Sequence, residues 1–288
     1  IVCGEAGTAA FAGYAVRNRK TSGNECTYRN RKSEEEIRGQ RDNMKRAAEN
    51  KEKPEVQKLS DSSEKTNLAV EVHGLKKGYG KGNARTEVLK GLDFEMESGD
   101  FCVIMGASGC GKSTLMSILC GIEPAEEGTC KVNGLELKKL TDRELASFRS
   151  TQIGIVFQSF FLDEARTLEE NVEMPMGYSG VKKKQRRAQA QKVLAELAKK
   201  RPSQVSGGEQ QRAAIARAIV NHPKLLIADE PSGNLDEENT KNVMELLTGL
   251  NENGMGIILV THDPYAASFA KRKYVLEHGV LKEERNRN

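Results

Sequence analysis

The run Gly106-Ala107-Ser108-Gly109-Cys110-Gly111-Lys112-Ser113 sets three glycines, a lysine and two hydroxyls in eight residues. It follows the apolar stretch Phe101-Cys102-Val103-Ile104-Met105 and precedes Ser113–Cys120, which reads as a helix. A strand before and a helix after give such a loop the context of a phosphate cradle. Glycines let the backbone wrap close to phosphate oxygens, while exposed N–H groups and the helix N-terminus hold negative charge. The phosphate-binding set is therefore Gly106, Ser108, Gly109, Cys110 and Gly111. Lys112 reaches for the β- and γ-phosphates, Ser113 ligates Mg²⁺, and Thr114 adds an α-phosphate contact. A glycine-rich turn with a surface lysine is the bland alternative, and the flanking elements argue against it.

A second chemical pair follows an apolar run. In Leu225-Leu226-Ile227-Ala228-Asp229-Glu230 the acids end a buried strand, at the carboxyl edge of a sheet. Asp229 suits the Mg²⁺ shell, through water, and Glu230 suits the task of polarising an attacking water. An exposed acidic pair would be unremarkable; four preceding apolar residues make this one a site.

These groups need a scaffold. Leu68–Val72 and Val88–Met96 read as strands, and Phe101–Met105, Leu225–Ala228 and Ile257–Val260 as buried ones. Strands alternating with helices predict an α/β fold of the phosphate-loop type, a mostly parallel sheet flanked by helices. Between Thr167 and Asn221 the strand signal gives way to helix formers, which places an inserted helical subdomain at about 160–221.

The 288 residues carry a net charge of +4 and no run of 18 or more apolar residues. Residues 17–66 hold 14 Lys and Arg against 10 Asp and Glu, so the whole excess lies there. A nucleic-acid binder concentrates basic charge on its folded domain, and no nucleic-acid partner is expected. Cys3, Cys26, Cys102, Cys110, Cys120 and Cys130 form no Cys-x-x-Cys pair, which favours reduced thiols in the cytoplasm. Residues 1–66 read as a leader, charged and poor in apolar residues from 21 to 66, with helix around Glu34–Ala48. Ile1–Val16 followed by Arg17-Asn18-Arg19-Lys20 fits either the last turns of a membrane helix or a remnant of a targeting segment. The remaining domain is 67–285.

Val205-Ser206-Gly207-Gly208-Glu209-Gln210 brings a resemblance into view. Together with the phosphate loop and the Asp-Glu pair it is similar to the signature of the ATP-binding cassette superfamily, which phosphate-loop GTPases and kinases lack. The resemblance covers about Leu68 to Glu284 and implies an antiparallel β subdomain beside the parallel sheet. It implies ATP with Mg²⁺ as the bound nucleotide and a second cassette subunit as partner, a homodimer. In the family Ser206, Gly207 and Gly208, at the start of a helix expected over Glu209–Val220, close over the γ-phosphate held by the other subunit.

The same resemblance gives further roles. Gln158, after the strand-like Ile153–Phe157, matches the glutamine that touches Mg²⁺ and water and links to a membrane partner. His262 in Thr261-His262-Asp263 matches the residue that senses the γ-phosphate. Asp236, in Ser232-Gly233-Asn234-Leu235-Asp236, matches the carboxylate of the loop that crosses the dimer interface. Tyr79 in Lys77-Gly78-Tyr79-Gly80 matches the aromatic that stacks on adenine; packing beside a strand is its plain alternative.

Phe157-Gln158-Ser159-Phe160, Glu170–Pro175, Arg201–Gln204 and Gly233–Asp236 resemble the branch of the lipoprotein-releasing ATPase LolD, the macrolide exporter MacB and the division ATPase FtsE. That branch implies an ATPase energising an integral membrane permease on a separate chain, at the cytoplasmic face of a membrane. The alternative is a soluble cassette in division, DNA repair or translation. Two departures stand out: the stretch Lys182–Arg201 is shorter than in relatives, and the leader has no counterpart in minimal ATPases.

Overall fold

The structure, a computed structural model, describes residues 67–284. The leader, its expected helix at Glu34–Ala48 and both readings of Ile1–Val16 lie outside the described residues, as do Cys3 and Cys26. In chain order the strands are β1 (Leu68–Tyr79), β2 (Thr86–Glu97), β3 (Phe101–Met105), β4 (Glu127–Val132), β5 (Leu135–Glu136), β6 (Ile153–Val156), β7 (Leu225–Asp229), β8 (Gly256–Val260), β9 (Arg272–Glu277) and β10 (Val280–Glu284). The helices are α1 (Lys112–Leu119), α2 (Asp142–Thr151), α3 (Leu168–Tyr178), α4 (Lys183–Leu194), α5 (Gly207–Ile219), α6 (Glu237–Glu252) and α7 (Pro264–Ala267).

The strands form two sheets. An antiparallel one runs β2-β1-β4-β5, and a six-stranded one runs β10-β9-β3-β8-β7-β6, parallel except for the terminal β9–β10 pair. The architecture is the α/β class expected from the alternating pattern. Strand β1 is longer than Leu68–Val72. Register shifts after Val72 and again near Leu75 and Lys77 carry it through Gly74 and Gly78 to Tyr79; a bulged strand hides its continuation behind residues that look like a turn.

Strands β3, β7 and β8 are apolar on both faces because both faces are covered. Phe101, Val103, Leu226, Ala228, Ile257 and Leu259 pack into one core with the helices α3 to α6. Cys102, Ile104, Leu225, Ile227, Ile258 and Val260 pack into a second core with α1 and the antiparallel sheet. Alternate side chains thus anchor each strand from two sides, at roughly 1.5–3 kcal/mol for each fully buried Leu, Ile or Val.

Register then decides what meets what. Ile104 pairs with Val260, Val260 with Asp229, and Ala228 with Val156. The chain leaves four neighbouring strands, β3, β8, β7 and β6, at one edge of the sheet. A parallel sheet presents ligand sites at this carboxyl edge. Among the described residues no helix is long and apolar enough to cross a membrane.

Candidate active site

The loop after β3 turns through left-handed backbone at Gly106, Gly109 and Gly111. A methyl group on Gly106 would sit 2.5 Å from the Leu276 carbonyl oxygen, and one on Gly111 would sit 2.9 Å from Val88 Cγ1. Both positions therefore need glycine for space as well as for φ. Gly111 is also the residue from which α1 starts, and no side chain caps that helix. By contrast α2, α3, α5, α6 and α7 are capped by Thr141, Thr167, Ser206, Asp236 and Asp263. The first-turn N–H groups of α1 are left for an anion. Lys112 folds back over the loop, its Nζ donating to the carbonyls of Gly106 at 2.7 Å and Ala107 at 3.0 Å.

A cleft of about 580 Å³ opens above this loop. It is lined by Gly106–Gly109, Gly111–Thr114, Gln158, Asp229, Glu230 and His262, with Val88 as an apolar wall. The four strand ends thus deliver Lys112, Ser113, Gln158, Asp229, Glu230 and His262 to one place. Cys110 faces the other side of the loop, in a second hollow with Leu276–Gly279.

Glu230 is the most tightly determined of these. It sits at a φ of 45°, in the left-handed region, and its N–H donates to the Val260 carbonyl at 2.8 Å. Its carboxylate accepts the Thr261 hydroxyl at 3.1 Å and the His262 N–H at 3.1 Å, and His262 Nδ1 lies 2.6 Å from Oε1. Strain of this kind persists where surrounding structure over-determines it, which three neighbouring strand-end groups do here. Beside it, burial first and then the charge of Glu230 push the Asp229 carboxyl above its ordinary range, while Lys112 pulls it down. A carboxylate made costly to charge by burial and by a neighbouring negative group is favoured by a cation beside it.

Ser113, Gln158 and Asp229 supply one hydroxyl, one amide and one carboxylate. Such a sparse oxygen set holds magnesium when phosphate oxygens and water complete the shell. No cluster of three or more His, Cys, Asp or Glu side chains suited to a metal occurs among the described residues. The donor set, the uncapped helix and the glycine cradle fit a magnesium nucleotide.

Tyr79 does not line this cleft. Its exposed ring stands at the end of β1, with its hydroxyl 2.7 Å from Glu123 Oε2 and 3.5 Å from Thr114 Oγ1, and Lys77 Nζ lies 5.5 Å from the ring centre. The hydroxyl donates to Glu123, with Thr114, the residue that follows Lys112-Ser113, nearby.

Ser206, Gly207, Gly208 and Asp236 lie outside the cleft as well. Ser206 caps α5, accepting the Glu209 N–H while the Glu209 carboxylate receives the Ser206 N–H at 2.8 Å. Ser206 and Gly207 are exposed, Gly208 buried. The helix begins at Gly207 rather than at Glu209, because Glu209 is the third helical residue of a capping box. A methyl on Gly208 would sit 2.0 Å from Asn239 Oδ1. Asn239 is in turn fastened to Asp236, the cap of α6, through Nδ2 at 2.9 and 3.0 Å and through its N–H at 2.8 Å. The signature helix and the Asp236 loop are therefore seated on one another.

Sequence reasoning passed over four contributors: Val88, Thr261, Asn239 and Arg217. Arg217, on α5, donates to the carbonyls of Phe160, at 2.9 Å, and Phe161, which ties the signature helix to the segment after Gln158. None of the four carries a local motif; each acts through a partner distant in sequence or through packing. The stretch between α4 and α5 is a succession of short turns, Ala195–Leu197 and Pro202–Gln204, with Ala195 at a φ of 50°.

Comparison with known proteins adds the following. A family profile described as ABC transporter matches residues 89–233. An ABC transporter ATP-binding protein of Methanocaldococcus jannaschii, MJ1508, is 42% identical over 219 residues, 74% of this chain and 98% of that protein. The macrolide export ATP-binding/permease protein MacB of Aggregatibacter actinomycetemcomitans is 41% identical over 217 residues, 74% of this chain and 34% of that protein. The chain thus spans about a third of the length of the MacB relatives it matches. Among solved structures, the ATP-binding cassette MJ0796, dimeric in a post-hydrolysis state bound to ADP and Pi, superposes with a TM-score of 0.71 at 36% identity, over 76% of this chain and 99% of that one.

Proposed function

This chain belongs to the ABC transporter family, as an ATPase that takes ATP with Mg²⁺, and we propose that it energises a membrane transporter or mechanotransmission complex. It pairs with a second cassette, a copy of itself, and drives an integral membrane permease on a separate chain from the cytoplasmic face. The working cassette is residues 67–285 with a helical subdomain at about 160–221, preceded by the leader. One observation supports this most: Lys112, Gln158, Glu230 and His262 follow four adjacent strands into one cleft, while Ser206 and Gly207 are exposed and do not line it. MJ0796, the structural neighbour, is dimeric, and the sequence relatives are named as transporter proteins. That disfavours a soluble cassette of DNA repair, translation or division.

In this reading, Lys112 exchanges the carbonyls of Gly106 and Ala107 for phosphate oxygens when ATP arrives. The glycine loop and the uncapped start of α1 hold the phosphates, and the exposed ring of Tyr79 takes the adenine. Ser113, Gln158 and Asp229 would hold magnesium, which would supply neutralisation of phosphate charge. Glu230 orients a water toward the γ-phosphorus; the water oxygen bonds to phosphorus as the bond to the bridging oxygen breaks, giving ADP and phosphate. His262, against Glu230 and at the mouth of the cleft, senses the γ-phosphate. Ser206 and Gly207 of the second subunit complete the enclosure, and Asp236 borders it. Positioning and charge neutralisation supply most of the rate effect.

The Glu230→Gln variant tests this. We expect ATPase activity to fall by about a hundredfold or more and ATP to hold the protein as a dimer in size-exclusion chromatography. Full turnover in that variant contradicts the role of Glu230. Purification from detergent extracts is expected to bring a hydrophobic partner; a fully soluble complex favours the non-transport reading.

A further inference from the structure

Thr261, the first residue after β8, is fully buried and uses its hydroxyl twice. The Asp263 N–H donates to Oγ1 at 3.0 Å, and Oγ1 lies 3.1 Å from Glu230 Oε2. A hydroxyl has one proton. With an N–H already pointing at its oxygen, Thr261 can satisfy the carboxylate only by donating that proton to it. The Thr261 N–H in turn donates to the Ile104 carbonyl at 3.3 Å, so the residue is built into the junction of β8 and β3.

The other side chain on this carboxylate is of a different kind. The His262 side chain is 74% exposed, against 11% for Glu230. The ring can leave Glu230 for a phosphate oxygen at the cleft mouth without disturbing the core. Thr261 cannot leave. We propose that Thr261 is a positioning residue for ATP hydrolysis, holding the Glu230 carboxylate in one orientation whether or not the His262 ring is bonded to it. This rests on the reading of Glu230 as the group that orients water.

Steady-state ATPase kinetics on the full chain with Thr261→Val, Thr261→Ser and Glu230→Gln separate the two ideas. Valine keeps the shape and loses the hydroxyl. It is expected to lower kcat by about ten- to a hundredfold, the worth of a hydrogen bond to a charged group, with KM for ATP changed less than about threefold. Serine returns the hydroxyl and is expected to restore kcat to within about threefold of the parent. In the Glu230→Gln background Thr261→Val adds no further loss, because the two act as one unit. Should valine lose the fold by circular dichroism, Thr261→Ala takes its place in the same comparison. Parental kcat in Thr261→Val with Glu230→Gln inactive overturns this proposal alone. A loss that serine fails to rescue, or one that adds to Glu230→Gln, also overturns it. Parental turnover in Glu230→Gln removes the reading beneath it, and the proposal with it.

Discussion

In the proposed reading the cleft and the signature turn are two halves of nucleotide chemistry, and they are built by different means. Lys112, Asp229, Glu230 and His262 come from strands buried on both faces, and Glu230 is held in a strained backbone by three donors from its neighbours. Ser206 and Gly207 stand at the end of a run of short turns, exposed, and Ser206 is engaged with its own Glu209. A rigid edge positions reacting groups within a single chain. A helix start presented to solvent does nothing for a nucleotide until another surface is brought against it. Nucleotide capture is thus expected of one chain, and closure of two.

That difference is broken most severely at Lys112. Lys112→Ala removes the cation that rests on the phosphate loop, and nucleotide affinity is expected to fall by about a hundredfold, the loss of a charge-assisted bond. Ser206→Arg, in contrast, is expected to leave affinity of the separate chain within about threefold while preventing the ATP-dependent dimer of Glu230→Gln. Fluorescent-nucleotide titration and size-exclusion chromatography on the two variants decide the matter. A binding defect in Ser206→Arg equal to that of Lys112→Ala would erase the distinction between the halves.

The next effect lies where the signature helix meets the Asp236 loop. In Gly208→Ala the new methyl cannot coexist with Asn239 Oδ1, so Asn239 must turn and give up its Nδ2 bonds to Asp236. We expect a loss of about 1–3 kcal/mol from overpacking and broken bonds, seen as a lower Tm. Asn239→Ala in the same chain clears the space and is expected to recover part of that loss. If the double variant is no more stable than Gly208→Ala alone, the contact is not what excludes a side chain at position 208.

How much of this was legible follows the same divide. The strands β3, β7 and β8 read directly from sequence, because burial on both faces demands continuous apolar runs. Lys112 is legible from the glycine loop that follows such a run, and Glu230 and His262 from standing within two residues of the end of one. Parallel pairing then brings their loops together, and the strand order that does so was beyond reach of any local pattern. On the signature side the helix start was placed two residues late, since glycines at 207 and 208 argue against helix while the Ser206–Glu209 capping box argues for it. The seat of Gly208 on Asn239, and the bonds from Arg217 to the carbonyls of Phe160 and Phe161, join residues far apart in the chain. Thr261 was read only as a neighbour of His262, because a threonine after a strand carries no sign of which oxygen it will serve.

The smallest effect concerns how the helical side is fastened. Helix α3 starts in a capping box: the Thr167 N–H donates to Glu170 Oε2 at 2.9 Å and Thr167 Oγ1 accepts the Glu170 N–H at 3.2 Å. The N–H groups of Leu168 and Glu169 bond the carbonyls of Lys200 and Ala198, so the same turn also secures the run leading to Ser206. The Thr167 backbone bond, chiefly, holds the Glu170 carboxyl below its usual range. A carboxylate with a lowered folded-state pKa stabilises the fold above its unfolded value of about 4.3, and that contribution is lost as pH falls through the lower folded value. Acid is therefore expected to loosen α3 and the approach to the signature turn. Protection of the first-turn amides of α3, taken as the intrinsic exchange rate at each pH over the observed one, should fall below about pH 4. Glu170→Gln carries no charge to lose and is expected to flatten that dependence, at a cost of under about 1 kcal/mol at neutral pH. An equally steep acid response in Glu170→Gln would assign it to another carboxyl, and the fastening of the signature approach would then rest on the Lys200 and Ala198 carbonyls alone.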